Sequence, residues 1–350
     1  MQANKPLLFV LGTRPEGIKL LPLVWECQAR VLPFELLHTA QHEALLDALL
    51  QANHQAPDYK LSAHPNTLLE AKQSILSQME ASLPKNRYSA ILVQGDTLSA
   101  LCGAEYGFFR GIPVIHIEAG MRTYQNEHPY PEEVFRRMIA PMATLHFCPS
   151  EDEAKNLKNE GICEDSIFVT GNTFPDYWNT HSSPKSHPKK QILVTIHRRE
   201  NLPYLEEIFD AIAKLAQRFC AYEWLFPLHP NPTLVECAAR RLSGIPNLRL
   251  TNALPPEEFF RELCASETVL TDSGGVQEEC IFLGKKVLVV RTVSERRTDF
   301  PFVRRVDPKS YAIEEAFSAL FQTRLTETPC SYYGVGGAAK AIAEILAREL

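Results

Sequence analysis

Three carboxylates and one histidine stand where this chain could move protons and charge: Asp96 in QGDT, Glu118 in HIEAG, Glu132 in HPYPEE and His197 in ILVTIHRRE. Glu118 is the sharpest of them, because it interrupts the apolar run PVIHIEA, and a charge buried there without a partner is costly. It needs a cation or a job. Carboxylates gathered in one place raise one another's pKa values, a usual arrangement for general acid and base work. Taken singly, Asp96 also fits a helix N-cap, Glu132 after Pro131 fits a helix start, and His197 fits a hydrogen-bonded strand end. As an imidazolium, His197 would stabilise a departing anion, and His229 in PLHPNP is a weaker candidate of the same kind. The histidines lack H-E-x-x-H or comparable ligand spacing, so no metal site is expected.

Two further segments have the chemistry of phosphate capture. Gly12-Thr13-Arg14-Pro15-Glu16-Gly17-Ile18-Lys19 has capping-box spacing between Thr13 and Glu16 and a proline suited to a first helical turn. A helix N-terminus there presents backbone N–H groups to an anion, with Arg14 and Lys19 adding cations on the same turn region. Thr271-Asp272-Ser273-Gly274-Gly275 repeats the logic in the second half, since glycines let a phosphate approach backbone N–H groups closely. Glu279, about one turn further on, could accept hydrogen bonds from ribose hydroxyls. Alone, each segment fits a well-capped helix or a tight turn as readily. Neither half carries G-x-G-x-x-G or a Walker A loop, which argues against a redox dinucleotide and an ATPase; no cofactor is expected.

The elements that must position these residues are legible as short apolar runs alternating with longer amphipathic segments. PLLFVLGT, FELLHTA, SAILVQGD, PVIHIEAG and LHFCPS come first; after HSSPKSHPKKQ, which has nothing to bury, the rhythm restarts with ILVTIH, EWLFPLH, LRLTNA, TVLTDSG and VLVV. Continuous apolar character suits buried parallel strands, and the two series predict two α/β domains, 1–180 and 181–336, with a terminal helix over 337–350 rejoining the first. In both, the polar motifs fall at the carboxyl ends of the strands, where open parallel sheets bind ligands, and two such faces opposed make a cleft. A chain of 350 residues, 45% of them apolar, is long enough for two cores. Its net charge of −6, with both signs mixed along the chain, argues against a nucleic-acid face. The first apolar run, after one lysine, is too short for a signal-peptide core, and no stretch reaches membrane-spanning length. Nine cysteines without a Cys-x-x-Cys pair, with Cys102, Cys148, Cys220 and Cys280 inside apolar runs, read as buried thiols of a cytoplasmic protein.

Taken in order, GTRPEGIK, TAQH, QGDT, HIEAGMRT, PYPEE, TGNT, VTIHRREN, HPNP and TDSGGVQEE resemble the non-hydrolysing UDP-N-acetylglucosamine 2-epimerases, in one register from about residue 8 to residue 300. The resemblance implies a GT-B-like architecture of two Rossmann-like domains facing a central cleft, a UDP-sugar substrate and a homodimer. It implies that Asp96, Glu118 and Glu132 are acid/base carboxylates and that His197 attends the leaving group. It further implies that Arg14, Lys19, Ser273, Gly274, Gly275, Glu279 and Arg296 contact the nucleotide sugar, with Leu254 and Phe259 at the uracil. Several positions depart from the family pattern: Glu43 where Arg is common, Phe135 where Asn is typical, Glu295-Arg296-Arg297-Thr298 for E-R-P-E, and Val335 in place of an acid. The alternatives are a hydrolysing 2-epimerase, an epimerase of a UDP-diacetamido uronic acid sugar, a GT-B glycosyltransferase and a non-catalytic nucleotide-sugar sensor.

Overall fold

The computed structural model describes residues 5–62, 67–181, 189–323 and 330–350. They fall into two units, Met1–Ser182 with Tyr332–Leu350, and Ser183–Ser331. In the first unit the strands are β1 (Leu7–Leu11), β2 (Phe34–His38), β3 (Tyr59–Lys60), β4 (Ala90–Gln94), β5 (Val114–Ile117), β6 (Leu145–Cys148) and β7 (Ile167–Val169). They form one parallel sheet in the order β3-β2-β1-β4-β5-β6-β7. The second unit has β8 (Gln191–Thr195), β9 (Glu223–Leu228), β10 (Leu248–Asn252), β11 (Thr268–Thr271), β12 (Lys286–Val290) and β13 (Val303–Val306), parallel and ordered β10-β9-β8-β11-β12-β13.

Each sheet therefore winds outward in both directions from its own first strand, and the order reverses between β1 and β4 and between β8 and β11. Loops leaving two neighbouring strands diverge there, which opens a crevice at their carboxyl ends. The apolar runs are buried because helices cover both faces: β1, β4, β8 and β12 are buried along their whole length. In the second unit Trp224, Phe209, Phe226 and Phe317 fill one continuous core. Three strands carry no apolar run that the sequence announces. β3 is two residues long, β7 is half-exposed at an edge, and β13 reads VRRV with both arginines in solvent.

The chain returns to the first unit at Tyr332, ahead of the terminal helix. The Asn172 N–H donates to the Tyr333 carbonyl at 2.7 Å, and the Asp176 carboxylate accepts from the Gly337 N–H at 2.6 Å, capping the helix Ala338–Glu349. That helix packs on the helix Arg14–Ala29 and buries Ala339, Ile342, Ala343 and Leu346. Cys102, Cys148 and Cys280 are buried, whereas Cys220 is exposed, contrary to expectation, because it sits in the turn beyond the helix Leu205–Arg218. No helix among the described residues is long and apolar enough to cross a membrane.

The helix Arg14–Ala29 begins on a fully buried carboxylate. Glu16 accepts from the N–H groups of Gly12 and Thr13 at 3.0 and 2.7 Å, from the Thr13 hydroxyl at 2.8 Å, and from the Thr97 hydroxyl at 2.6 Å. Burial outweighs these bonds and pushes its pKa up from 4.5 to about 7. The folded chain thus holds a proton that the unfolded chain releases, so the stability Glu16 contributes is full at low pH and is lost as pH rises toward about 7. Glu16→Gln removes that titration while keeping an acceptor for the backbone. Chemical denaturation at about pH 5 and about pH 8 should show stability falling by about 2 kcal/mol less in Glu16→Gln than in wild type; equal falls in the two proteins would contradict this.

Candidate active site

In the first unit the expected residues gather at the reversal between β1 and β4. Gly12, Thr13 and Arg14 leave β1, and Gly95, Asp96 and Thr97 leave β4. The Thr97 hydroxyl joins the two loops through Glu16 and also caps the helix Leu98–Arg110 by accepting from the Ala100 N–H at 3.0 Å. Beneath them lies a buried polar floor, where Thr39 and Ser99 hydroxyls meet at 2.6 Å and Gln41 accepts from Ser99 at 2.7 Å. A Cβ on Gly12 would lie 1.8 Å from the Ser99 hydroxyl oxygen, so the chain can pass only as glycine.

Glu118 has the cation its burial demands. Lys19, expected on the turn with Arg14, is buried instead, and its ammonium donates to Glu118 at 2.5 Å. The Gln94 amide donates to the second carboxylate oxygen. Glu118 sits at φ 62°, in the left-handed region, a conformation that non-glycine residues hold only where their surroundings impose it. The same turn is fixed from below by His116, whose Nε2–H donates to the Gly95 carbonyl at 2.9 Å; burial pushes the His116 pKa down to about 3, so the ring is neutral.

Asp96 is tied to the helix Glu132–Ile139. The Arg136 guanidinium, itself buried, donates through Nη1 to Asp96 and through Nη2 to Glu133 at 2.7 Å. Glu133 accepts from the Thr123 and Tyr124 N–H groups at 2.9 and 3.0 Å. Burial alone would raise its pKa, but Arg136 and these two N–H groups hold it below the usual carboxylate value. Glu132 opens the same helix and is half-buried. Of the adjacent acids, Glu133 therefore braces the loop, and Phe135 packs against the core. Glu43 is exposed and paired with Lys60 at 2.8 Å.

The second unit repeats the arrangement between β8 and β11, whose last residues Thr195 and Thr271 hydrogen-bond through their hydroxyls at 2.6 Å. Asp272 is fully buried and accepts from the N–H groups of His197 and Arg198 at 3.0 and 2.9 Å and from the Asn201 amide at 3.1 Å. His197 Nδ1 lies 3.3 Å from the same carboxylate, so the imidazole stands beside the buried acid. Burial pushes the His197 pKa down, and Asp272 opposes the shift. His229 is exposed, with its ring centroid 6.0 Å from that of His197.

Ser273 caps the helix Gly274–Leu283 by accepting from the Val276 N–H at 3.4 Å. A Cβ on Gly274 would lie 2.2 Å from Arg296 Nη1, so Arg296 lies against the turn; a Cβ on Gly275 would meet only the Ser273 hydroxyl, at 3.9 Å. The backbone at Gly275 is thus open to an approaching ligand. Arg296 is held by carboxylates, with Nε donating to Glu278 at 2.7 Å and Nη1 donating to Glu295. Glu279 follows on the same helix, half-buried. Leu254 lies in the loop after β10, whereas Phe259 falls within the helix Pro256–Ala265 and its N–H is committed to the Pro255 carbonyl at 2.9 Å.

Sequence reasoning passes over Arg136, Glu133 and Asp272. The signal for Asp272 is the one that singles out Glu118, an acid at the end of an apolar run. Arg136 and Glu133 carry the helical i,i+3 spacing of an ion pair.

A model of the UDP-N-acetylglucosamine 2-epimerase family matches residues 26–347. The chain is 38% identical over 302 residues to the UDP-N-acetylglucosamine 2-epimerase of Bacillus subtilis, covering 83% of this chain and 80% of that protein. It is 34% identical over 371 residues to the Neisseria meningitidis enzyme of the same name, covering 97% and 98%. The N. meningitidis crystal structure bound to UDP-GlcNAc superposes with a TM-score of 0.92 at 33% identity, over 98% of this chain and 100% of that one. The S. aureus MnaA-UDP co-structure gives 0.93 at 32%, over 98% and 96%. The chain shares the GT-B-like α/β class of these structures.

Lys19→Met leaves the Glu118 carboxylate buried without its cation, and should cost about 3–5 kcal/mol of stability as measured by urea unfolding. A loss under about 1 kcal/mol would show that the pair does not hold the turn.

Proposed function

The chain belongs to the UDP-N-acetylglucosamine 2-epimerase family, and from that premise we propose that it inverts C2 of UDP-N-acetylglucosamine without releasing the nucleotide, giving UDP-N-acetylmannosamine. The observation that carries this reading is the pairing, at the reversal point of each sheet, of a capped helix N-terminus with charged side chains: Arg14 with Asp96, and Ser273 with His197. The Ser273–Gly275 turn takes the diphosphate, Arg14 and His197 meet the charge that develops on it, and Glu279 and Arg296 take the nucleoside side with Leu254, Phe259 and His229. Asp96, Glu118 and Glu132 serve the sugar.

The C2 proton of the sugar is not adjacent to a carbonyl and is too weakly acidic for direct removal by a carboxylate. Stretching the C1–O bond gives C1 oxocarbenium character and makes that proton labile. The electron pair of the C2–H bond then forms the C1–C2 double bond, the C1–O pair leaves with UDP, and a carboxylate takes the proton. Return of a proton to the opposite face, with UDP re-adding at C1, completes inversion. Two faces require more than one carboxylate, and the first unit supplies three. Leaving-group stabilisation and proton removal are then coupled, because neither proceeds far without the other.

We also read the chain as a homodimer. Phe108 and Phe109, at the end of the helix Leu98–Arg110, are 55% and 78% exposed, and large apolar side chains left together in solvent mark an interaction surface.

Incubation with UDP-N-acetylglucosamine in D₂O, followed by proton NMR, should yield UDP-N-acetylmannosamine carrying deuterium at C2. Free N-acetylmannosamine would instead identify a hydrolysing enzyme, and product retaining its C2 proton would exclude the elimination route. Asp96→Asn, Glu118→Gln and Glu132→Gln should each slow turnover by roughly 10²-fold or more. Arg14→Ala should weaken UDP binding by about 1.5–3 kcal/mol, measured by calorimetry; unchanged affinity would remove Arg14 from the site.

A further inference from the structure

Arg291 follows β12 and is completely buried. A guanidinium without solvent must find its acceptors inside the protein, and the way Arg291 does so ties three segments together. Its Nε donates to Glu200 at 2.9 Å, in the loop that carries His197. Its Nη1 donates to Glu295 Oε2 at 3.0 Å. The other oxygen of Glu295 accepts from Arg296, whose Nε in turn donates to Glu278 on the helix Gly274–Leu283. Arg296 ends against Gly274, where a Cβ would lie 2.2 Å from its Nη1. Asn201, one residue beyond Glu200, adds a second tie by donating to both Asp272 and the Val290 carbonyl.

The chain Glu200–Arg291–Glu295–Arg296 thus runs from the loop of the histidine, through the body of the unit, to the glycine turn. Three carboxylates share two guanidinium groups, and Arg291 joins the Glu200 end of this chain of ion pairs to the Arg296 end. The burial of Arg291 bars direct contact with a ligand, and its Nη2 has no acceptor among the described residues. Arg291 reaches its two carboxylates from separate nitrogens, Nε and Nη1, held in one plane by the guanidinium.

We infer that Arg291 is a positioning residue for nucleotide binding: it orients Glu295 so that Arg296 stays against the Gly274 turn, and it couples that turn to the His197 loop through Glu200. The inference rests on the proposed role of the turn in holding UDP. Lysine retains the charge but carries its donors on one flexible ammonium nitrogen, so it lacks the fixed fork that reaches Glu200 and Glu295 from two separate nitrogens, and that geometry is what the proposal requires.

The test is calorimetric titration of UDP into the full chain and its Arg291→Gln, Arg291→Lys, Arg296→Gln, Arg291→Gln/Arg296→Gln and Glu200→Gln variants, each checked for folding by circular dichroism. Arg291→Gln should weaken UDP binding about tenfold, Arg291→Lys should recover little of it, and the double variant should bind about as weakly as Arg296→Gln alone. Glu200→Gln, which cuts the same link at its partly exposed end, should weaken binding several-fold and keeps the proposal testable if Arg291→Gln does not fold. Wild-type affinity in folded Arg291→Gln, losses that multiply in the double variant, or unchanged binding in Glu200→Gln would each overturn the inference. A wild-type chain that binds no UDP would overturn the functional reading itself, and the inference with it.

Discussion

The Lys19 ammonium and the Glu118 carboxylate, buried together at 2.5 Å, tie the first helix of the first unit to the end of β5. A carboxylate at the end of a buried strand cannot be left uncompensated, and the cation that answers it, Lys19, lies 99 residues earlier in the chain. Meeting Glu118 fixes the rotation of the helix Arg14–Ala29 about its axis. With the rotation fixed, Glu16 turns toward the loops after β1 and β4, and Arg14 stands at the carboxyl end of β1. The unusual backbone of Glu118 belongs to the same account, since Lys19, Gln94 and the turn braced by His116 hold a conformation the residue would not adopt alone.

The second unit answers its buried acid differently. Asp272 has no lysine; it collects backbone N–H groups from His197 and Arg198, and these draw the loop after β8 over the reversal point. A carboxylate satisfied by N–H donors positions backbone, whereas one satisfied by an ammonium positions a helix. The two units therefore reach similar strand-end geometry through different electrostatics. In each, removing the partners leaves a buried charge whose desolvation is no longer compensated.

Much of the fold was legible because buried parallel strands leave continuous apolar runs, and ten such runs appear as strands. β3, β7 and β13 were not, for edge strands are half-solvated and need no such run. The positions of Asp96, Glu118, His197 and Ser273 at strand ends could be read from sequence order alone. Their partners could not. Lys19 reads as a surface cation beside Arg14, and Arg296 as a cation free for a nucleotide, since nothing local announces that each is held by carboxylates in the folded chain. Arg136 was likewise hidden: its link to Asp96 spans 40 residues and depends on how the helix Glu132–Ile139 lies on the sheet.

Chemically, the proposed function makes one demand from which the carboxylates, the histidine and the anion-binding turns all take their purpose: the bond between the sugar C1 and the diphosphate oxygen must break and re-form within each turnover. UDP-N-acetylglucosamine labelled with ¹⁸O in that bridging position tests this directly. If the bond opens reversibly, rotation of the freed β-phosphoryl group carries the label into non-bridging positions, and ³¹P NMR should show the exchange at a rate comparable to epimerisation. Epimerised product with the label wholly retained in the bridge would contradict the account.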